Sequence, residues 1–386
     1  MLPSVIIFNI FNGAKKLGFG LMRLPLNNPD DPADIDIEQT KKMVDLFMER
    51  GFTYFDTAWM YHAFNSENAA REALVSRYPR DSFTLATKLH SEFISSEEDR
   101  DNVFNEQLKK TGVEFFDYYL IHDVNLHSIE TYNRLHVFDW LIEKKNAGLA
   151  KHIGFSFHDS PELLEQVLTE HPEMEFVQIQ LNYLDYDSPA IRSRECYEVA
   201  AKFGKPVIIM EPIKGGTLIN MSDEITDMYK NYNPDVSVAS WAIRFAASHD
   251  NVKMVLSGMS NMEQLEDNTS YMENFVPLNN EEKELIKKAV VILNSSIAIP
   301  CTGCSYCTDG CPIKIAIPKY FSLYNAEMKD NPDGKKGWTP QGEYYDNLTK
   351  TFGKASACVG CKQCENICPQ HLKVTEYLAM VAEKFE

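Results

Sequence analysis

The sequence predicts an α/β protein built from a closed (β/α)8 barrel of the TIM type, followed by a small, mainly helical region. Three observations support this fold class. Ahead of residue 280, eight short β runs alternate with amphipathic helical stretches. The pattern changes after Pro277, and eight of the nine cysteines then lie between positions 301 and 368. The 386 residues accommodate both parts, since such a barrel needs about 250 residues.

The eight β runs are the candidate barrel strands. They cover residues 17–20, 53–57, 83–88, 118–122, 152–156, 177–181, 207–211 and 254–257. The helical stretches cover 38–50, 65–77, 98–111, 128–147, 161–170, 190–203, 236–249 and 261–272. Strands that are apolar on both faces favour a parallel sheet covered by helices. An open, doubly wound sheet is the alternative, but GFGLMRLP at 18–25 is a poor match to the G-x-G-x-x-G turn of such sheets.

Composition shifts along the chain predict the domain boundaries. We expect the barrel at 1–278, a helical bridge at 279–300 and the helical region at 301–386. The bridge begins with NNEEKELIKKAVVIL, whose acidic first turn complements a helix dipole. The first residues, MLPSVIIFNIFNG, lack the positive flank and cleavage site of a signal peptide, so we expect a hairpin that turns at Asn12-Gly13.

The charge balance narrows the classes of partner. The chain carries 38 basic and 56 acidic residues, a net charge of 38 − 56 = −18, which argues against nucleic acid or an anionic membrane as the main partner. No run of 18 apolar residues is present, so we expect no membrane-spanning helix. These features favour a protein that acts on small molecules.

The cysteines form two copies of one spacing, C-x2-C-x2-C-x3-C-P, which is the run found in bacterial two-cluster ferredoxins. In such runs three cysteines bind one [4Fe-4S] cluster and the fourth binds the other. The predicted ligands are Cys301, Cys304, Cys307 and Cys368 for the first cluster, and Cys358, Cys361, Cys364 and Cys311 for the second. A zinc site is the alternative, but it has no use for the third cysteine or the proline. We therefore predict a ferredoxin-like iron–sulfur domain.

The ligand type also predicts the compartment. Low-potential clusters and free thiols belong in a reducing cytoplasm, typically of an anaerobic or oxygen-avoiding cell. The 312–357 segment between the two runs is longer than in a compact ferredoxin and contains two helix-like stretches, which predicts a mainly helical domain. Cys196 stands apart on a helical pattern, where a small buried apolar role is favoured.

Four chemically active side chains lie at the C-terminal ends of consecutive predicted strands, where barrel enzymes carry their chemistry. They are Asp56, Tyr61, Lys88 and His122. A tyrosine with a pKa near 10 is a poor acid, but a lysine ammonium lowers that pKa and an aspartate keeps the lysine charged. A histidine can orient a carbonyl oxygen or share the proton. The set suits protonation of an oxyanion as hydride arrives at carbon, although Lys88 and Asp56 alone could be a structural ion pair.

At this point the sequence resembles the aldo-keto reductases, over roughly residues 10–275. The resemblance is carried by LGFGLMRLP at 17–25, FDTAWMY at 55–61 with Glu67, TK at 87–88, LIH at 120–122, IGFS at 153–156, QIQLNY at 178–183, MEPIKGG at 210–216 and SGMSNMEQLEDN at 257–268. It implies that Asp56, Tyr61, Lys88 and His122 are the catalytic tetrad, with Tyr61 as general acid. The whole chain resembles the branch with a C-terminal iron–sulfur domain.

The resemblance also implies a nicotinamide site. The matching positions are Gly20, Met22, Arg23, Asp56, Ser156, Gln180, Glu211, Pro212, Lys214, Gly216, Gly258, Ser260, Gln264 and Asn268. A helix that opens within 260–268 would present N-terminal amides to phosphate. Two departures stand out: Phe157 replaces the asparagine that usually follows Ser156, and 257–272 contains no lysine or arginine to meet a 2′-phosphate. NADH is therefore favoured over NADPH.

These features predict an oxidoreductase that reduces or oxidises a small carbonyl compound with NAD(P)H, with two [4Fe-4S] clusters that transfer electrons. A hydride carries two electrons and a cubane cluster one, so a flavin in the barrel is kept as an alternative cofactor, and ferredoxin or another electron carrier as a partner. Two other functions remain open: a one-electron or flavin-dependent reductase fed through the clusters, and a non-catalytic electron-transfer subunit whose barrel is a docking module. Electron conduction requires the cluster domain to dock at the catalytic end of the barrel.

Overall fold

The fold is taken from a computed structural model that describes residues 10–11, 13–188, 191–295, 298–301, 303, 305–331, 337–368 and 372–386. The predicted N-terminal hairpin lies mostly outside these residues, because 1–9 and Asn12 are not among them. Ile10 and Phe11 form a turn, and Gly13 follows with a left-handed φ of 74°.

Eight parallel strands close into a barrel in which each strand pairs with its neighbours in chain order, and β1 pairs with β8. They are β1 (Leu17–Gly20), β2 (Tyr54–Asp56), β3 (Thr84–Leu89), β4 (Phe116–Val124), β5 (Ala150–Phe157), β6 (Phe176–Gln180), β7 (Val207–Met210) and β8 (Val252–Gly258). Each lies within a few residues of a predicted strand. The predicted closed barrel is confirmed, and the open-sheet alternative is wrong.

Helices connect and cover the strands. The barrel helices are α1 (Ile37–Glu49), α2 (Tyr61–Phe64), α3 (Ser66–Ala70), α4 (Glu97–Thr111), α5 (Ser128–Arg134), α6 (Val137–Asn146), α7 (Pro161–Glu170), α8 (Ser193–Lys202), α9 (Asp223–Tyr232), α10 (Val238–Ala247) and α11 (Met262–Met272). They are followed by α12 (Asn280–Ser295), α13 (Tyr306–Asp309), α14 (Ile317–Asp330), α15 (Pro340–Thr349), α16 (Gln363–Ile367) and α17 (Val374–Phe385).

Two helix predictions need correction. The stretch 128–147 is two helices and not one, because His136 takes a left-handed conformation (φ 48°) between α5 and α6. α9 was not predicted, although Ile225 and Tyr229, four residues apart, form its buried face. The predicted helix at 65–77 is present as α3 continued by a π-helical turn over Arg71–Val75.

The N-terminal end of the barrel is closed by aromatic packing. The ring of Phe11 stacks on Tyr118, with ring centroids 5.1 Å apart and planes 8° apart, and meets Phe176 edge-on. Close strand packing continues beside them at Gly154, where a Cβ would lie 2.5 Å from the Phe176 carbonyl oxygen. The reactive end of the barrel is therefore the opposite one, which we call the mouth.

The helical region has its own core and sits on the mouth. Tyr320, Phe321 and Tyr345 pack together there with Ile191 from a barrel loop. Glu343 of α15 accepts a hydrogen bond from Asn125 Nδ2 (3.2 Å), beyond the end of β4. The region thus docks at the end of the barrel that electron conduction requires. No helix among the described residues is long and apolar enough to span a membrane.

Truncating Phe11 should destabilise the barrel. Phe11→Ala removes a buried ring between Tyr118 and Phe176, and we expect a loss of about 3 kcal/mol in the free energy of unfolding, the usual cost of such a cavity. Urea denaturation of the cluster-loaded protein measures it. Val276→Ala, at an exposed position, is the control and should change stability by less than about 0.5 kcal/mol. Equal stability of the two variants would contradict the role of Phe11.

Candidate active site and cysteine cradle

The four predicted catalytic residues meet in the mouth. Lys88 Nζ on β3 lies 2.5 Å from Asp56 Oδ1 at the end of β2 and 2.7 Å from the Thr57 carbonyl oxygen, and the Lys88 and Asp56 side chains are 0% and 3% exposed. Tyr61 opens the short turn α2, and its ring centroid lies 5.0 Å from Lys88 Nζ. The His122 ring on β4 meets the Tyr61 ring edge-on at 5.9 Å. The parallel strands thus deliver all four side chains to one place.

Burial sets the protonation states of this group. It disfavours the Lys88 ammonium more than any single neighbour favours it, but Asp56 and Tyr61 together outweigh burial and raise the pKa of Lys88. Lys88 lowers the pKa of Tyr61, as expected, but burial raises this pKa by more, so the net shift is upward. Burial holds the pKa of His122 well below its ordinary value. The site therefore combines a protonated tyrosine, a charged lysine and a neutral imidazole.

A buried polar network supports β3 next to Lys88. The Glu67 carboxylate accepts hydrogen bonds from Thr87 Oγ1 (2.7 Å) and Gln107 Nε2 (2.8 Å), and it lies 3.3 Å from Lys110 Nζ. Gln107 Nε2 also donates to the Lys88 carbonyl oxygen at 3.0 Å. Glu67 is among the residues that carry the family resemblance, whereas Gln107 was not predicted from the sequence. Its signal was a polar residue on the buried face of α4.

The backbone after Tyr61 is held in an unusual shape. His62, Ala63 and Phe64 all take left-handed φ values of 53°, 49° and 69°. Such conformations cost about 1 kcal/mol or more each outside glycine, so other contacts must impose them. The His62 ring supplies two, since its Nε2 accepts from the Leu24 N–H at 2.9 Å and its Nδ1 lies 2.9 Å from a backbone carbonyl oxygen. This turn fixes the backbone position of Tyr61, which directly precedes it.

Several positions predicted for the nicotinamide gather at the end of β8 and the start of α11. Ser260 Oγ donates to the Arg23 carbonyl oxygen (2.8 Å), and the Ser260 N–H donates to Gln264 Oε1 (2.7 Å). A Cβ on Gly258 would meet the Arg23 side chain at 3.1 Å, so the glycine leaves room for that arginine. Asn268 Nδ2 donates to the hydroxyl of Ser257 (2.9 Å).

The remaining predicted positions surround the ends of the other strands. Gly20 ends β1, the exposed Met22 follows it, and the buried Pro212 lies just after β7. Ser156 Oγ accepts the Asp123 N–H at 2.7 Å. Phe157 stands in the place of the asparagine that is usual in the family. It is buried and has no side-chain amide. Their contact with a nucleotide remains a prediction.

Two of the predicted positions, Lys214 and Gln180, take part in a charged cluster that was not predicted from the sequence. Lys214 Nζ lies 2.8 Å from Asp185 Oδ1, and Gln180 Nε2 donates to Asp185 Oδ2 at 2.8 Å. The Lys214 ammonium also lies 3.4 Å from Asp330 of α14. Lys214 lies in the loop after β7, where Glu211 and Gly216 take positive φ values of 54° and 110°. The lysine therefore bridges the barrel and the helical region.

A second contact joins the two parts beside His122. The Asn125 side-chain amide donates to Asp123 Oδ1 (3.1 Å) and to Glu343 Oε1 (3.2 Å). His90 Nε2 lies 3.6 Å from Asp123 Oδ2, and the His90 and His122 rings meet edge-on at 5.2 Å. The sequence analysis named none of these carboxylates, because Glu343 is more than 200 positions away from Asn125.

The second predicted set of cysteines lines one cavity. Cys311, Cys358, Cys361 and Cys364 line one concavity together with apolar residues of the helical region such as Ile315 and Leu378. Cys311 comes from the first run and the other three from the second, which is the exchange that the ferredoxin spacing predicts. The Ile315 N–H points at Cys311 Sγ (3.4 Å), as amides do around cluster sulfurs. Among the described residues, however, no three or more Cys, His, Asp or Glu side chains are grouped so that they could hold a metal ion, so cluster binding by these four cysteines remains a prediction.

The first predicted set is described in part. Cys301, Cys307 and Cys368 pack in the same core, and the Gly303 N–H lies 3.5 Å from Cys301 Sγ, whereas Cys304 lies outside the described residues.

Cys196 is buried in the barrel core, and burial raises the pKa of its thiol to about 12, which agrees with a packing role.

Comparison with known proteins identifies both parts of the chain. The aldo/keto reductase family model matches residues 16–291. The chain belongs to this family. A 4Fe-4S dicluster domain matches residues 300–372. The protein is therefore an oxidoreductase of the aldo-keto reductase type with a C-terminal iron–sulfur domain.

The relatives are distant in sequence. An aldo-keto reductase from Mycolicibacterium smegmatis is 26% identical over 221 residues, which is 55% of this chain and 70% of the relative. Among solved structures, aldo-keto reductase AKR11C1 from Bacillus halodurans in its holo form is 22% identical, with a TM-score of 0.56 over 71% of this chain and 91% of that one. An aldo-keto reductase from Klebsiella pneumoniae in complex with NADPH is 17% identical, with a TM-score of 0.55 over 71% and 90%. These structures share the barrel fold.

The His122 ring should stay neutral in acid. Its depressed pKa means that at about pH 5.5, where a free histidine is mostly charged, the folded protein keeps a neutral imidazole. Acidification below about pH 6.5 then favours the unfolded chain, which takes up the proton more readily. Titration of ¹⁵N-histidine-labelled protein by NMR measures this, with His122→Gln identifying the signal. A His122 signal that shifts to its charged position near pH 6.5 would contradict the assignment.

Proposed function

We propose that this aldo-keto reductase transfers hydride between a nicotinamide cofactor and a small carbonyl compound, with Tyr61 as the acid and base, and exchanges electrons through two [4Fe-4S] clusters. The observation that carries the proposal is the convergence of Tyr61, Lys88, Asp56 and His122 in one mouth, with the lysine held charged by a 2.5 Å ion pair. A vestigial barrel has no use for that charge, which argues against a purely structural docking module.

The tetrad divides the work. Asp56 holds the Lys88 ammonium, and this charge stabilises the tyrosinate that forms when Tyr61 gives up its proton. Burial keeps Tyr61 protonated at neutral pH, so it is set to donate in the direction of carbonyl reduction. Neutral His122 can orient the carbonyl oxygen through a ring N–H. When bound, a reduced nicotinamide supplies hydride to the carbon, and the proton from Tyr61 completes an alcohol.

The nicotinamide would lie along the residues that meet at β7, β8 and α11. Gly258 and Ser260 stand next to Arg23 there, and Asn268 is fixed beside Ser257. The NADPH-bound relative from Klebsiella pneumoniae supports nicotinamide as the cofactor class. The lack of lysine and arginine in 257–272 favours NADH over NADPH.

The cysteine sets would hold the two clusters, each of which carries one electron when present. Cys361 is exposed, so the second cluster would lie near the surface, where a carrier such as ferredoxin could exchange electrons. Residues 300–386 carry ten basic and ten acidic residues, a net charge of 10 − 10 = 0, so the remainder holds the whole −18. An acidic carrier would be steered away from the barrel and toward this region. Exposed cysteines also favour a reducing, oxygen-poor cytoplasm.

A one-electron reductase, with a flavin or an activated substrate in the mouth, is the second candidate. Two observations favour it. Phe157 removes an amide that the family uses for the nicotinamide, and the helical region contacts the mouth directly through Glu343 and Asp330. A flavin would also convert one hydride into two single electrons.

Removing the Tyr61 hydroxyl should abolish carbonyl turnover. We expect Tyr61→Phe to lower kcat by at least about a hundredfold, the contribution of a positioned acid, while leaving nicotinamide affinity unchanged. Anaerobic oxidation of NADH and NADPH with a panel of small aldehydes and ketones provides the assay. Tyr78→Phe, whose hydroxyl bonds Asp45 on the outside of the barrel, is the matched control. Full activity of Tyr61→Phe would overturn the role of this tyrosine.

The cysteine pairing can be tested by single substitutions. Cys311→Ala and Cys361→Ala should each lower the iron content from about eight to about four atoms per chain and leave the same residual EPR spectrum, because both remove ligands of one cluster. Cys301→Ala should remove the first cluster and leave the EPR spectrum of the second. Cys196→Ala should change neither the iron content nor the spectrum. If Cys311→Ala instead matched Cys301→Ala, each run would bind its own cluster and the proposed exchange of ligands would be wrong.

A further inference from the structure

A buried ionic cluster joins the helical region to the loop after β7. Asp330, the last residue of α14, accepts hydrogen bonds from Thr217 Oγ1 and Gln341 Nε2, both at 2.5 Å. Its Oδ2 also lies 3.4 Å from Lys214 Nζ. Thr217 and Lys214 belong to the barrel, whereas Gln341 belongs to α15. A single carboxylate of the helical region therefore holds two residues of one barrel loop.

The cluster continues from Lys214 into the barrel. Its ammonium contacts both carboxylate oxygens of Asp185, at 2.8 and 3.0 Å. Asp185 Oδ2 in turn accepts from Asn182 Nδ2 (2.8 Å), and the same amide lies 3.2 Å from the Glu211 carbonyl oxygen. The chain of contacts thus connects the two ends of the 211–217 loop: Asp330 binds Thr217 at one end, and Asn182 binds Glu211 at the other.

This loop needs constraint from outside. Glu211 and Lys214 take left-handed φ values of 54° and 50°, which are costly for residues with a Cβ. Two glycines follow them, at 215 and 216, and add freedom rather than rigidity. The lysine that fixes the loop is 3% exposed and lies between two carboxylates, of which Asp185 is 4% and Asp330 17% exposed. Removing Asp330 leaves a buried lysine with one partner and frees Thr217.

We propose that Asp330 is a positioning residue for the nicotinamide site, so that the helical region completes the cofactor loop of the barrel. This inference rests on the proposed function, because the 211–216 segment is where the resemblance places the nicotinamide. It links the two redox parts: a cluster domain that is displaced or unfolded loosens the loop and weakens nicotinamide binding. The cofactor would then bind well only when the electron-accepting region is in place.

The test compares Asp330→Asn with wild type in the cluster-loaded protein. Asparagine keeps the shape but loses the charge. Thr217 and Gln341 donate to different oxygens of Asp330, and asparagine has an oxygen at only one of these two positions. We expect NADH and NADPH affinity, measured by fluorescence titration, to fall about tenfold, and hydrogen exchange of 211–218 to accelerate. Cluster absorbance and kcat at saturating nicotinamide should stay unchanged. Asp346→Asn, exposed on α15, is the matched control and should match wild type.

The outcomes separate this inference from the proposed function. If wild type binds nicotinamide and Asp330→Asn binds it equally well, the positioning role is wrong and the function stands. If wild type binds neither NADH nor NADPH, the proposed function fails, and hydrogen exchange of 211–218 alone decides whether Asp330 orders the loop. Should Asp330→Asn lose its clusters, Thr217→Val removes one of the hydrogen bonds without touching a charge. That variant should weaken binding in the same direction, and unchanged binding would overturn the proposal.

Discussion

The buried ion pair between Lys88 and Asp56 is the interaction on which the rest of the barrel mouth depends. An ammonium with no exposed surface persists only if a carboxylate and hydrogen-bond acceptors surround it, and Asp56 and the Thr57 carbonyl provide them at 2.5 and 2.7 Å. Lys88 counters the rise that burial causes in the pKa of Tyr61, through its charge and through a hydrogen bond. The polar network of Glu67 and Gln107 serves the same end, because it ties down the backbone of Lys88 itself.

Charge also joins the two parts of the molecule. The helical region does not merely follow the barrel but places Asp330 and Glu343 beside loops that carry Lys214 and Asn125. Both contacts lie at the mouth, so the cysteine-bearing region and the tetrad share one end of the barrel. A cluster domain with a purely structural role could dock on any face. Docking at the mouth is the arrangement in which its presence can alter cofactor binding and electron exchange.

Local signals made most of this structure predictable. The eight strands stand out because a barrel strand buried on both faces must be almost continuously apolar. The tetrad stands out because its members lie at, or a few residues after, the C-terminal ends of three consecutive strands. The cysteine runs encode their own geometry in their spacing. What the sequence does not reveal is contact between distant segments: Lys214 and Asp330 are 116 positions apart, and nothing near either residue indicates the other. The left-handed break at His136 was missed for a different reason, since the flanking pattern is uniformly helical.

The most direct test of the account is an anaerobic titration of the cluster-loaded protein with NADH and NADPH, followed by visible absorbance and EPR. We propose one electron path that joins the barrel with the tetrad to the two cysteine sets. It predicts bleaching of the cluster absorbance and a reduced-cluster EPR signal on addition of nicotinamide, in the presence of any flavin that the mouth binds. Nicotinamide that binds without changing either signal, with flavin supplied, would contradict a shared path.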